Sequence, residues 1–494
     1  MSRPESTSAS LPPTPPPTGV TDTNPAPVRP GDRVSVWLKS AYGAAGMTNY
    51  FGGQLIKVLS ASIFVAGMGM SPAHIGWVFL IFRLWDAVTD PLMGWISDNT
   101  RSRWGRRRPY VLVGGLLTGA IFPLLWLGQP EWSDGLKFGY LVGIGLLFYI
   151  AFTIWAMPFQ SMLTEMSPDS TERTSISAYA SFFGKVAGIT GTWIWALTQL
   201  PIFNDPVTGE TDSLRGMRFV GVVIGLVIMM LSVLPAFLIK ERNPDFIRAQ
   251  AKVPFWPTFK RTFTNIPFRI LAIFALVFSF GINLVQGQMF YLRTYYALGG
   301  DTVKSATLTG VEGSIAMVLG IACIPFFQWL CNRYGKKETL MLSTFIILFA
   351  TWISWFTYTP QYPWLALVTG LLLMPGYTGM WLVIPSMIAD VIDDEELRSG
   401  DRREGGFNSI FAWMSKASTS LAFGLAGMIV VWCGFEIAQK ANQTPEAFHN
   451  MRLSFALLPT LFLVPALFLL ARYPLGYVRM NEIRVALEAR RGRL

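Results

Sequence analysis

Apolar stretches of about 20 residues or more recur along almost the whole of this 494-residue chain. About 20 residues is the length an α-helix needs to cross a hydrocarbon core about 30 Å thick. Twelve such stretches can be read, at about 36–66, 73–97, 110–128, 138–165, 176–200, 215–239, 267–297, 304–332, 338–358, 362–390, 407–435 and 451–473. Each is continuous rather than alternating, so helices are expected and not barrel strands; in lipid a lone span satisfies its backbone only as a helix. Composition agrees, with 52% hydrophobic and 14% charged residues against about 25% charged in soluble domains. The expected fold is an all-α membrane protein of twelve transmembrane helices.

The longest polar connection between spans, "KERNPDFIRAQAKVPFWPTFKRTFTNIP", falls between the sixth and seventh. It divides the chain into a bundle at 36–239, a linker at 240–266 and a second bundle at 267–473. An echo supports the division: "WGRRR" after the second span resembles "YGKKE" after the eighth. Residues 1–35 are rich in Pro, Ser and Thr and poor in apolar groups, and are expected as a disordered tail; residues 474–494 are expected as a basic tail. The net charge of +10 sits in the loops after spans two and six and at the C-terminus. If the spans alternate, these lie on one side, which the positive-inside rule makes cytoplasmic together with both termini. Three cysteines without metal spacing and two histidines, His74 and His449, give no basis for a disulfide framework, a metal centre or a cofactor. The serine-rich "TSISAYAS" has no histidine within the spans to activate it, so an enzyme is not expected.

The second span contains charges that lipid penalises. Arg83, Asp86 and Asp90 share one helix stripe, because residues three and four apart are neighbours. An ionised group at mid-span costs about 2.5–3.5 kcal/mol on the milder scale, so such groups face the bundle interior or a wet cavity. One reading is a structural ion pair between Arg83 and one aspartate, which leaves the other unexplained. Lys416, in the eleventh span, is a candidate partner; if it takes one aspartate, the second still needs a positive partner, which a bound Na⁺ or a proton supplies. Other interior polar groups are Asn49, Tyr50, Gln54 and Lys57 in span one, Lys185 in span five, and Asn283, Gln286, Gln288 and Arg293 in span seven. Lys57 and Arg293 have the alternative of snorkelling to the surface.

"RLWDAVTDPLMGWISDNTRSRWGRRRPY", "FTIWAMPFQSML" and "MWLVIPSMIADVIDDEELRSGDRREGGFNSIFAWMSK", in that order, resemble the glycoside–pentoside–hexuronide cation symporters, the melibiose permease group of the major facilitator superfamily. The resemblance implies two six-helix bundles, alternating access, and inward movement of a sugar or glycoside with Na⁺ or H⁺. It implies a cation site at Asp86 and Asp90, substrate contacts at Lys416 and Trp381, and a cytoplasmic gate drawing on Arg83, Asp390, Arg402 and Glu404. It implies a bacterial inner membrane as the location and a monomer as the working unit.

The chain departs from the family pattern at Tyr50, Ala156, Gln160 and Ser181, where the melibiose permease pattern has sugar-binding carboxylates, a tryptophan and an arginine. Lys57 and Lys185 add positive charge instead. Two substrate readings therefore stand: an anionic sugar, such as a uronide or sulfosugar, drawn to Lys57 and Lys185, or a neutral glycoside held by Asn49, Tyr50 and Gln160. A cation-coupled lipid or lysolipid transporter on the same scaffold is the alternative, and it calls for an apolar opening between helices.

Overall fold

The computed structural model describes residues 33–167, 170–239, 262–399 and 404–491. Its first six long helices are α1 (Val36–Gly67), α2 (Pro72–Asn99), α3 (Arg108–Trp126), α4 (Asp134–Met166), α5 (Ser170–Thr198) and α6 (Ser213–Leu238). Six more follow: α7 (Ile266–Ala297), α8 (Thr302–Tyr334), α9 (Lys336–Thr357), α10 (Ala366–Ser399), α11 (Glu404–Trp432) and α12 (Pro445–Ala471). Ten of the twelve are apolar enough to cross a membrane by length and composition alone. The two that fall short are α2, which carries Arg83, Asp86 and Asp90, and α5, which carries Lys185 among Ser, Thr and Gly.

Local chemistry sets where these helices begin. Ser35, Ser133, Asp212, Asn265, Asp301 and Thr444 each accept a backbone N–H from the first turn of α1, α4, α6, α7, α8 and α12, a contact worth about 1 kcal/mol. Two helices contain wide π turns, which are rare and gather at functional sites. In α1, π segments at Phe51–Leu55 and Ser60–Gly67 flank a single α turn holding Lys57. In α7 a π segment at Leu292–Ala297 holds Arg293.

Helix pairing follows a repeat. The pairs α1·α5, α2·α4, α3·α4 and α3·α6 in the first half recur as α7·α11, α8·α10, α9·α10 and α9·α12 in the second. Between halves, α2 packs on α11 and α5 on α8, which exchange under the same shift of six helices. The echo between "WGRRR" and "YGKKE" is part of it: Gly105 and Gly335 both hold φ of +106°, a left-handed conformation that favours glycine.

The halves meet closely at the end of the bundle away from these basic loops. A Cβ on Gly76 of α2 would overlap the carbonyl of Gly424 of α11, and one on Gly427 would overlap that of Pro72. Across the other seam, Gly310 and Gly313 of α8 make room for Trp193 and Thr192 of α5. There Trp193 Nε1 donates to Ser314 Oγ at 2.9 Å. Small residues at such crossings let backbones approach in lipid, where the hydrophobic effect gives no drive between helices.

Two boundaries differ from the sequence reading. The C-terminal segment expected as a tail forms, among the described residues, a thirteenth long helix, α13 (Tyr477–Arg491), which packs on α10, with its apolar residues Ile483 and Leu487 buried. Residues 33–35 lead into α1, with Ser35 as its cap. The rest of the expected N-terminal tail and residues 240–261 of the linker lie outside the described residues.

Candidate functional site

The charges of α2 lie near its middle, about 21 Å along the helix axis for Asp86 and about 27 Å for Asp90, at 1.5 Å per residue from Pro72. Arg83 Nη1 donates to Asp86 Oδ2 at 2.9 Å. Lys416 Nζ, from α11 in the other half, donates to Asp90 Oδ2 at 3.1 Å, and Thr153 Oγ1, from α4, donates to Asp90 Oδ1 at 3.0 Å. The sequence reading left one aspartate without a protein cation, and that is corrected: each carboxylate has one. Asp86 Oδ1 is nevertheless buried with no hydrogen-bond partner among the described residues. Pro91, one residue past Asp90, has no N–H to give the carbonyl of Ala87, which leaves a further oxygen on this stripe. Thr153 stands in the quoted "FTIWAMPFQSML" and was not singled out from the sequence.

A cavity of about 460 Å³ lies between α2 and α11, bounded by Asp86, Asp90 and Lys416 and by apolar residues such as Leu80, Leu84, Trp413 and Leu421. A second cavity, of about 520 Å³, is lined from both halves by Gln54, Lys57, Asn283, Gln286, Arg293 and Trp381, among others. It adjoins a third of about 480 Å³ that holds Lys185 and shares Gln286, Tyr377 and Trp381. Trp381 is 53% exposed, an aromatic face presented to open space. The structure thus brings together Lys57, Lys185 and Trp381, while Lys416 stands with the aspartates. Asn49, Tyr50 and Gln160 do not line these three cavities; the Tyr50 ring instead lies against Gly188 and Gly191 of α5.

Neither Lys57 nor Arg293 snorkels; they are 7% and 6% exposed. Lys57 Nζ rests over the Phe423 ring of α11, 5.9 Å from its centroid. Arg293 donates to Thr309 Oγ1 at 3.2 Å and forms an ion pair with Glu312 of α8. Glu312 was missed in the sequence; its signal is a lone carboxylate in the apolar run "TGVEGSIAM".

At the basic end, Arg106 and Arg107 both donate to Glu165 Oε1, at 2.7 and 2.6 Å. Lys336 donates to both oxygens of Asp390 at 2.7 Å. Asp390, read as a gate residue, is therefore a helical carboxylate paired within its own half, and Arg83 pairs within its own helix. Arg402 lies outside the described residues, and Glu404 is placed by its backbone in the first turn of α11.

Two six-helix bundles that share a pseudo-repeat, close on each other at one end, and hold charges and a polar cavity between them define a membrane transporter of the major facilitator fold. The chain belongs to the family described as MFS/sugar transport protein, which matches residues 44–477. It is 25% identical over 398 residues to the isoprimeverose transporter of Lactiplantibacillus pentosus, covering 79% of this chain and 78% of that one. It is 23% identical over 494 residues to the sodium-dependent lysophosphatidylcholine symporter 1 of Gallus gallus, covering 92% and 90%. Among solved structures, the nucleoside transporter NupG aligns at a TM-score of 0.62 with 12% identity, over 89% of this chain and all of that one, which is a likeness of fold.

Proposed function

We propose that this protein carries a sugar or glycoside into the cell across a bacterial inner membrane by alternating access, driven by a coupled cation, with the basic loops and both termini on the cytoplasmic side. The observation that carries this reading is the ion-pair cluster of Asp86 and Asp90 at mid-span, one of whose partners, Lys416, comes from the opposite half. Occupancy of the carboxylates by a cation changes whether Lys416 ties α11 to α2, and so biases the arrangement of the halves. A state change follows from a ligand only where the ligand interacts differently with the two states, and this cluster supplies such a difference. With the basic loops taken as cytoplasmic, the close seams at Gly76–Gly424 and Trp193–Ser314 support an inward-open arrangement.

Between Na⁺ and H⁺, the donor set favours the proton. A proton needs one oxygen, and Asp86 Oδ1 has no hydrogen-bond partner among the described residues; Na⁺ needs several oxygens at once, in a site where Arg83 and Lys416 already hold the carboxylates. The sugar half of the reading rests on the amide, hydroxyl and indole groups of the central cavity, since an aromatic face suits the apolar face of a sugar ring and amides match its hydroxyls. Uptake into proteoliposomes, with Na⁺ and pH gradients imposed separately and a panel of sugars, tests both halves. We expect a pH gradient, inside alkaline, to drive accumulation of a sugar, and Asp90→Asn to abolish accumulation while exchange down a gradient persists. Undiminished accumulation by Asp90→Asn would falsify the coupling role.

The apolar cavity between α2 and α11 favours a second reading, an amphiphile whose tail lies against Leu84, Trp413 and Leu421 with its head near Lys416. A lysophospholipid that competes with, or replaces, every sugar in the same vesicles would establish it in place of the first.

A further inference from the structure

Buried ammonium groups in lipid-embedded helices are costly and are found paired. Lys57 breaks that rule. It is 93% buried by its 7% exposure, and among the described residues its ammonium has no hydrogen-bond or ion-pair partner, only the ring of Phe423. Its neighbours deepen the problem. Lys57 lies within electrostatic reach of Arg83, Asp86 and Lys416, and Asp86 within that of Asp90. Three cations and two carboxylates leave this group one positive charge in excess when all are ionised. The cavity walls give no relief, because the residues lining the two adjoining central cavities include Lys57, Arg293 and Lys185 and no carboxylate. Of these, Arg293 is neutralised from behind by Glu312, whereas Lys185, like Lys57, has no ion-pair partner among the described residues.

We infer that Lys57 is the seat for an anionic group on the substrate, and that the transported molecule is a sugar acid: a polyhydroxylated ring bearing a carboxylate or sulfonate. The inference rests on the transport reading above and names its substrate class. The anion neutralises the excess charge at Lys57, while its ring reaches the amides of Gln54, Asn283 and Gln286 and the indole of Trp381, all on the wall of the same cavity. The local backbone serves this placement. Lys57 sits on the one α turn between two π segments, whose altered pitch re-aims side chains relative to a regular helix. Because Phe423 belongs to α11 and Lys57 to α1, an anion that draws the ammonium away from the ring also releases a contact between the two halves. Charged hydrogen bonds are stronger than cation–π contacts at this distance, so the direction of the exchange is set.

The test uses the full chain in detergent and reads binding by its intrinsic tryptophan fluorescence, so that it does not depend on coupling. The probes are matched pairs: methyl glucuronide with methyl glucoside, galacturonate with galactose, and 6-deoxy-6-sulfoglucose with glucose. Wild-type protein is expected to bind at least one acid about tenfold or more tightly than its neutral partner. Lys57→Gln is expected to erase that preference, bringing each acid to the affinity of its neutral partner, and Lys57→Arg to keep most of it. A thermal unfolding midpoint for each variant separates lost binding from lost fold, and Lys57→Arg keeps the test open should the Gln variant not fold. Wild-type protein that prefers no acid of the set, or a Lys57→Gln variant that keeps the preference, overturns the inference. If the Lys57-dependent preference holds while neither gradient drives accumulation in vesicles, the anion seat stands and the coupled-transport reading falls.

Discussion

Arg83 with Asp86, Lys416 with Asp90, and Arg293 with Glu312 are all ion pairs within membrane helices, yet their surroundings give them different work. The Lys416 side chain is 56% exposed and reaches Asp90 from the other half, so that pair can open at little cost in solvation. The side chains of Arg293 and Glu312 are 8% and 11% exposed and belong to neighbouring helices of one half. Removing one member of a buried pair leaves an uncompensated charge, which costs about 3–5 kcal/mol, whereas replacing both by apolar residues is often neutral. Glu312→Gln should therefore lower the thermal midpoint clearly, Arg293→Met with Glu312→Leu should recover most of it, and Asp90→Asn should hardly move it. Scanning fluorimetry in detergent checks the order; a Glu312→Gln protein as stable as wild type would show that the pair is not structural. These residues also mark what the sequence could reveal. Asp86, Asp90 and Lys416 were legible because a charge in an apolar stretch is anomalous wherever it occurs. The assignment of cation to carboxylate was not, since which cation meets which carboxylate depends on how helices from two halves cross. Lys57 and Arg293 were legible as anomalies and ambiguous in meaning, because a long side chain permits snorkelling and only packing decides against it.

At the level of elements, helix positions were almost fully readable, since a span must be apolar over a fixed length whatever surrounds it. The π segments of α1 and α7 were not, as a shift from four- to five-residue hydrogen bonding leaves no periodic mark in so short a stretch. Nor was the seam between α2 and α11. Its glycines are visible in the sequence, but a glycine in a span serves equally for a kink, a crossing or a lipid face, and only the opposing carbonyl tells which. That seam makes a prediction about elements rather than single contacts. A side chain at Gly76 has to displace the backbone of Gly424, so Gly76→Leu should hold α2 and α11 apart at this end and disfavour the closed arrangement. Exchange across vesicles should fall by about tenfold or more, as expected when a needed state is raised by 1.4 kcal/mol. Exchange at the wild-type rate would mean that the seam opens and closes without that contact.

The repeat governs the whole molecule. The principal helix pairings, the cross-half contacts and the turns at Gly105 and Gly335 map onto themselves under a shift of six helices. On the proposed alternating-access reading, the two halves would need equivalent hinges, and the basic loops carry equivalent ion pairs. Arg106 and Arg107 tie the start of α3 to Glu165 near the end of α4, and Lys336 ties the start of α9 to Asp390 in α10. The sequence hinted at this through five residues; the carboxylates that complete each motif lie about 60 and 50 positions further on and are joined to them only by the fold. If the motifs are mechanically equivalent, breaking either should disturb the same step by a similar amount. Glu165→Gln and Asp390→Asn each keep the shape of the side chain and remove its charge, which costs a salt-bridged, partly buried contact. Each should slow exchange between vesicle interior and exterior by factors that agree within about threefold, a difference below 1 kcal/mol, with substrate affinity nearly unchanged. The double variant should be slower than wild type by about the product of the two factors, because the sites share no partners and distant effects add in free energy. One variant silent while the other is crippled would show that the halves share a geometry without sharing the work, and that the opening at the basic end is driven from one side alone.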